Sequence, residues 1–277
     1  MKKSVVMKVV LAAVVCLAST AGASTVITWT NSDPGDSSYN TPGNWDTGAV
    51  PNVWWDTEVV INGGGAVVHD SGLNQNYAAW VGFTGAGQLD VTGGDLVAGY
   101  NADAGGGYPQ AGWLAIGHTA DGVVNVDGGN LWANNDMHVG SIGGANGELN
   151  ITSGNVWAKT LQVGNLGGNG QINISGGALQ LMHRADTYNT ASALTIGALG
   201  NIDLTAGGEI YHWGDATGGF AWLSDPINGN LLTANGGAGT VNYEYVSEGD
   251  YTRAWAVPEP TTMLLLGLGG LLIRRKR

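Results

Sequence analysis

The middle of the chain alternates apolar and polar residues with a period of two, and the alternation recurs in matched blocks. A first block, apolar-x-apolar-Gly, reads AWVG (79–82), LAIG (114–117), MHVG (137–140), LQVG (161–164) and LTIG (194–197). A second follows each copy: GQLDVTGGDL (87–96), GVVNVDGGNL (122–131), GELNITSGNV (147–156), GQINISGGAL (170–179) and GNIDLTAGGEI (200–210). A period of two is that of a strand with one buried face. Leu89/Val91, Val124/Val126, Leu149/Ile151, Ile172/Ile174 and Ile202/Leu204 are therefore expected to point inward. Between them Asp90, Asn125, Asn150, Asn173 and Asp203 are expected to point outward, as a solvated row. A third short strand begins at Leu96, Leu131, Val156, Leu179 and Ile210. No helical period competes, so the expected class is all-β.

The copies are close in length. Gly117, Gly140 and Gly164 follow one another at 23 and 24 residues, while loops at 101–111 and 183–193 lengthen the first and fourth copies. The fifth copy has an extra residue before its glycine pair, which predicts a bulge or the end of the array. Three strands joined by glycine corners predict one coil of a parallel β-helix, each coil burying its apolar face against the next about 4.8 Å away. The array resembles the right-handed β-helices of autotransporter-associated and polysaccharide-lyase-like surface proteins. That resemblance implies a right-handed parallel β-helix, or β-solenoid.

Upstream, residues 28–68 have another texture, with Trp29, Trp45, Trp54 and Trp55 set among turn residues. An open end of stacked strands exposes unpaired edges and must be covered, so this segment reads as a Trp-rich N-terminal cap. Its Asn44-Trp45 and Val50-Pro51 layout resembles the opening segment of the same secreted β-helix proteins. At the far end Val241, Tyr243 and Tyr245 alternate in a closing strand. The chain then divides into a signal peptide (1–23), a cap with the first strands (24–76), the repeats with the closing strand (77–248), a linker (249–257) and a sorting tail (258–277).

Both ends carry targeting patterns. Lys2, Lys3 and Lys8 flank the apolar run 9–18, and Ala21-Gly22-Ala23 supplies small residues for cleavage. This predicts a secretory signal peptide, with signal peptidase as a partner and Ser24 as the mature start. At the other end Pro258-Glu259-Pro260 precede the apolar run 261–273 and the basic terminus Arg274, Arg275, Lys276 and Arg277. As a helix the run spans about 20 Å, short of the roughly 30 Å hydrocarbon core, and the prolines stop it extending upstream. The four cations hold its end in the cytoplasm. Order, spacing and position resemble the PEP-CTERM sorting signal of Gram-negative envelope proteins. The resemblance implies transient attachment to the inner membrane, processing by an exosortase, and release to the cell surface or an extracellular polysaccharide matrix.

Without the leader and tail, 21 acidic residues face 3 basic ones, a formal charge of −18. That excludes nucleic acid as a partner, since phosphate binding needs the opposite sign, and disfavours acidic glycans. The one cysteine, Cys16, lies in the leader, so disulfides and thiolate metal sites are excluded. No metal or cofactor pattern is present, and His118 and His138 read as surface residues. The one place where spacing suggests a ligand is the column Val97, Trp132, Trp157, Gln180 and Tyr211, one residue past the inward position of each third strand. Trp132 and Trp157 would floor a groove between the two long loops, with Tyr108, Arg184, Asp186 and Tyr188 on its walls, where sugar rings stack and hydrogen-bond. The expected function is a non-catalytic structural or adhesive protein of an exopolysaccharide matrix. A carbohydrate-binding module is the alternative, and a β-helix polysaccharide lyase or hydrolase is a further one.

Overall fold

The computed structural model describes residues 25–32, 35–52, 56–63, 65–99, 112–181, 193–205, 207–215, 217 and 229–258. The segment 1–24 with the expected signal peptide, Trp54, Trp55, the whole loop 101–111, all but Ala193 of the loop 183–193 and the tail beyond Pro258 lie outside these. The described chain is all-β, as the alternation predicts. In chain order its strands are β1 (Thr25–Thr28), β2 (Thr57–Ile61), β3 (Ala66–His69), β4 (Leu73–Asn76), β5 (Ala78–Val81) and β6 (Gly87–Val91). Then come β7 (Asp95–Ala98), β8 (Trp113–Ile116), the long β9 (Gly122–Val139) and β10 (Asn146–Val163), β11 (Asn169–Ile174) and β12 (Ala178–Leu181). The series ends with β13 (Ala193–Ile196), β14 (Gly200–Leu204), β15 (Glu209–Trp213), β16 (Leu232–Ala234), β17 (Gly239–Val246) and β18 (Tyr251–Pro258).

Parallel pairing sorts these strands into three ladders. The first runs β1, β2, β5, β8, the C-terminal parts of β9 and β10, then β13. The second runs β3, β6, the N-terminal parts of β9 and β10, then β11, β14 and β16. The third runs β4, β7, the middle of β9 and of β10, then β12 and β15. Repeat-equivalent residues are paired: Leu89 with Val124, Val124 with Leu149, Leu149 with Ile172, and Ile172 with Ile202.

The inward residues named from the alternation are at most 1% exposed, and each ladder contributes its apolar row to one continuous core. The glycine closing the first block is dictated by this stacking. Gly140 has φ +67°, a left-handed conformation, and a Cβ there would overlap the carbonyl of Asn169 in the next row. Only glycine turns the corner and lets the next strand lie against it. The extra residue of the fifth copy lies between the end of β14 and the start of β15.

At the start, Trp29 and Trp45 form an antiparallel bridge with rings edge to face at 5.1 Å, and both are buried. Tyr39 joins them at 4.9 Å from Trp45, whose Nε1 donates to the Tyr39 carbonyl at 2.8 Å. These rings cover the apolar end of the stack. Beneath them lies a buried polar group that patterning did not anticipate. The Tyr39 hydroxyl and the Asn76 amide are 2.9 Å apart, and His69 lies between the Gly93 carbonyl at 3.0 Å and Asn74 Oδ1 at 2.9 Å. Burial pushes the Tyr39 hydroxyl well above the usual phenol range.

The other end closes differently from the sequence expectation. Residues 249–257, read as a linker, supply all of β18 but its last residue, Pro258, and the strand inserts antiparallel between β15 and β17. Its Thr252 and Ala254 are fully buried; of the expected closing strand β17, Val241 is 8% exposed and joins the core, whereas Tyr243 and Tyr245 are each 38% exposed. Both strands close this end, with β18 lying between β15 and β17. A charge cluster fastens β18 to β15: Arg253 pairs with Glu209, which also accepts from the Tyr211 hydroxyl. Burial works against the Glu209 charge, but the bonds from Tyr211 and Arg253 outweigh it and hold the carboxyl below its usual range. Burial, and then the Glu209 carboxylate, push the Tyr211 hydroxyl up to about 12.

Candidate functional site

The third ladder positions the candidate groove. Val97 pairs with Trp132, Trp132 with Trp157, Trp157 with Gln180, and Gln180 with Tyr211, so the five side chains form one outward column. Trp132 and Trp157 are half-buried and stack face to face, with ring centroids 3.6 Å apart and planes 2° from parallel. The rings therefore stand up from the sheet. The faces they turn to each other are closed to a sugar ring, and their edges point outward. Of the expected walls, Tyr108, Arg184, Asp186 and Tyr188 lie outside the described residues.

Beside this column runs a chain of amides. Asn130 donates from Nδ2 to Asp95 Oδ1 at 2.8 Å, Asn155 to Asn130 Oδ1 at 3.3 Å, and Gln180 to Asn155 Oδ1 at 3.1 Å. The second ladder carries another on its outer face: Asn125 to Asp90 at 2.7 Å, Asn150 to Asn125 at 2.9 Å, and Asn173 to Asn150 at 2.8 Å. A third marks the corner before the second ladder, from Asn169 to Asn146 at 3.0 Å and from Asn146 to Asp121 at 2.9 Å. All three begin at an aspartate and run in the same direction. An ionised carboxylate only accepts, so the first Asn must present its NH2 to it and its oxygen to the next residue. The row read as solvated, 90 to 173, is half-buried and internally bonded instead. Asp203 stands apart from it, accepting from Thr233 Oγ1 at 2.7 Å and Gly236 N at 2.9 Å. The visible signal was an Asp in one copy followed by Asn at the same offset in later copies.

The first ladder carries an aromatic cluster that patterning missed. Trp80 meets Phe83 at 5.0 Å, Trp113 edge-on at 5.3 Å and His118 at 4.9 Å, and Phe83 stacks on His118 at 5.5 Å. His118 Nδ1 is 2.8 Å from Ser141 Oγ. Burial lowers the pKa of His118, and also that of His138, where Asp136 works against it. The two histidines are thus half-buried members of the sheet surface, not solvated side chains. Among the described residues no three His, Cys, Asp or Glu side chains converge as a metal site would require.

The sorting tail leaves from β18. Pro258, the first residue of its proline-glutamate-proline group, pairs with Gly239 of β17. Glu259, Pro260 and the basic residues Arg274, Arg275, Lys276 and Arg277 lie outside the described residues. The model of the PEP-CTERM protein-sorting motif matches residues 256–277. The chain carries a PEP-CTERM sorting motif. This motif implies an exported protein that is held in the membrane and processed by an exosortase. Among the described residues no helix is long and apolar enough to cross a membrane, and the apolar run 261–273 is not among them. No curated protein and no solved structure matches the chain.

Proposed function

We propose that the body is a right-handed parallel β-helix and that the processed protein is a non-catalytic structural or adhesive component of an extracellular polysaccharide matrix. The β-helix reading is supported by the three parallel ladders, which the chain visits in a fixed order while keeping repeat-equivalent residues in register. Crossovers between parallel strands are right-handed in nearly all sheets, which supports a right-handed path. The matrix role rests on one observation, the attachment of a sorting motif directly to the last strand of the body. Its hydrogen-bonded amide rows and acidic charge favour hydroxyl-rich neutral glycans over polyanions.

The test is fractionation of the native cells. The body is expected in the matrix fraction, released by enzymes that degrade neutral glycans, and a deletion strain is expected to shed more matrix until the gene is restored. Recovery mainly from cytoplasm or free medium overturns the reading. A second reading, glycan binding at the outer edges of the Trp132–Trp157 pair, is supported by the partial exposure of both half-buried indoles on one outer column.

A further inference from the structure

We propose that the tip of the β17–β18 ribbon is a docking edge for the sorting enzyme, which adds a strand of its own to Ala256–Pro258 before the tail is processed. The proposal rests on the exosortase reading of the tail. Pairing of β18 with β15 ends at Trp255, opposite Glu209. Pairing with β17 continues through Ala256, Val257 and Pro258, opposite Val241, Thr240 and Gly239. Three residues therefore keep a partner on one side and, among the described residues, have no strand on the other. The sorting-motif match begins at 256, where this open edge begins.

Among the described residues, the chain entering β15 is Gly207-Gly208, which has no side chains to fold over this edge, and Gly207 has φ +99°. Ala256 packs partly against the core and Val257 is half-buried, so the candidate contact is the main-chain edge. An unpaired edge is a template for strand addition, in which main-chain hydrogen bonds supply affinity. Folding of the body has already ordered these three residues, so a partner meets them without that entropic cost. Pro258 has no N–H, which ends the added pairing at the motif. Only Glu259 and Pro260 separate this tip from the apolar run, so the edge lies close to the membrane that the tail enters. A misfolded body would present no such edge, and its tail would stay unprocessed.

The test follows precursor and processed chain over time by immunoblot in the exosortase-bearing host. Three full-length variants are compared with the unmodified chain. Thr240→Pro unpairs the ribbon tip, a Gly-Ser-Gly-Ser spacer between Val257 and Pro258 separates the motif from it, and Thr240→Val preserves the strand. Trypsin resistance of the body reports folding in each. Processing is expected to slow about tenfold in the first two, the factor set by loss of a net hydrogen bond or so, and to stay native in the third. Native or faster processing of the proline and spacer variants overturns the proposal; if the proline variant unfolds, the spacer variant decides alone. An unprocessed tail in the unmodified chain overturns the sorting reading itself, and this proposal with it.

Discussion

Asn125 donates from Nδ2 to Asp90 Oδ1 at 2.7 Å, and this bond orients each amide that follows along the second ladder. With the carboxylate at its head, each Asn has one way round that satisfies both neighbours. Asp90→Ala removes the fixed acceptor, and Asn150→Ser breaks the row in its middle. Each is expected to cost about 1–3 kcal/mol in denaturant unfolding, the penalty for leaving a half-buried amide unpaired. By sequence alone Asn150→Ser should be silent, so an unchanged midpoint would return these amides to the solvent.

Ile151 is fully buried, paired with Val126 and with Ile174 in the adjoining rows. Ile151→Asp places a carboxylate there without a partner, at a cost of several kcal/mol. Loss of the cooperative unfolding transition and of trypsin resistance is expected. Retention of both would contradict the inward assignment.

The Trp132–Trp157 stack is expected to show a coupling of about 0.5–1.5 kcal/mol in a double-mutant cycle with alanine. Tryptophan fluorescence titrated with neutral and acidic oligosaccharides separates its two uses. A saturable change lost in the double mutant supports glycan binding, and coupling without any such change leaves a structural stack.

His118 links stability to pH. Its folded pKa lies below the ordinary value, so the unfolded state binds the proton more readily. The contribution is complete while the ring is neutral in both states, and it is lost as pH falls below about 6.5 toward the lower folded value. The melting temperature is expected to fall over that window in the native protein, and less in His118→Phe, which keeps the stack on Phe83 and Trp80.

Mass spectrometry of surface-extracted protein is expected to find no peptide spanning 260–277. Glu259→Ala is expected to leave the full-length precursor in the membrane fraction. An intact C-terminus in the surface fraction would refute processing.

The strands, the inward rows and the outward column of Trp132 and Trp157 were legible in the sequence. A strand's side-chain period is local, and repeated copies align themselves by their glycines. The sorting tail was legible because its parts are contiguous. What distance along the chain hides, only the packed structure decided. Tyr39, His69, Asn74 and Asn76 come together because the cap folds back on the first row. Residues 249–257 look like a linker by composition, yet most of them form β18 because β15 ends the third ladder with an open edge that must be paired. The direction of the amide rows and the face-to-face indoles depend on how closely successive rows approach. Composition carries no record of that spacing, which is set when parallel strands hydrogen-bond and bring equivalent side chains into contact.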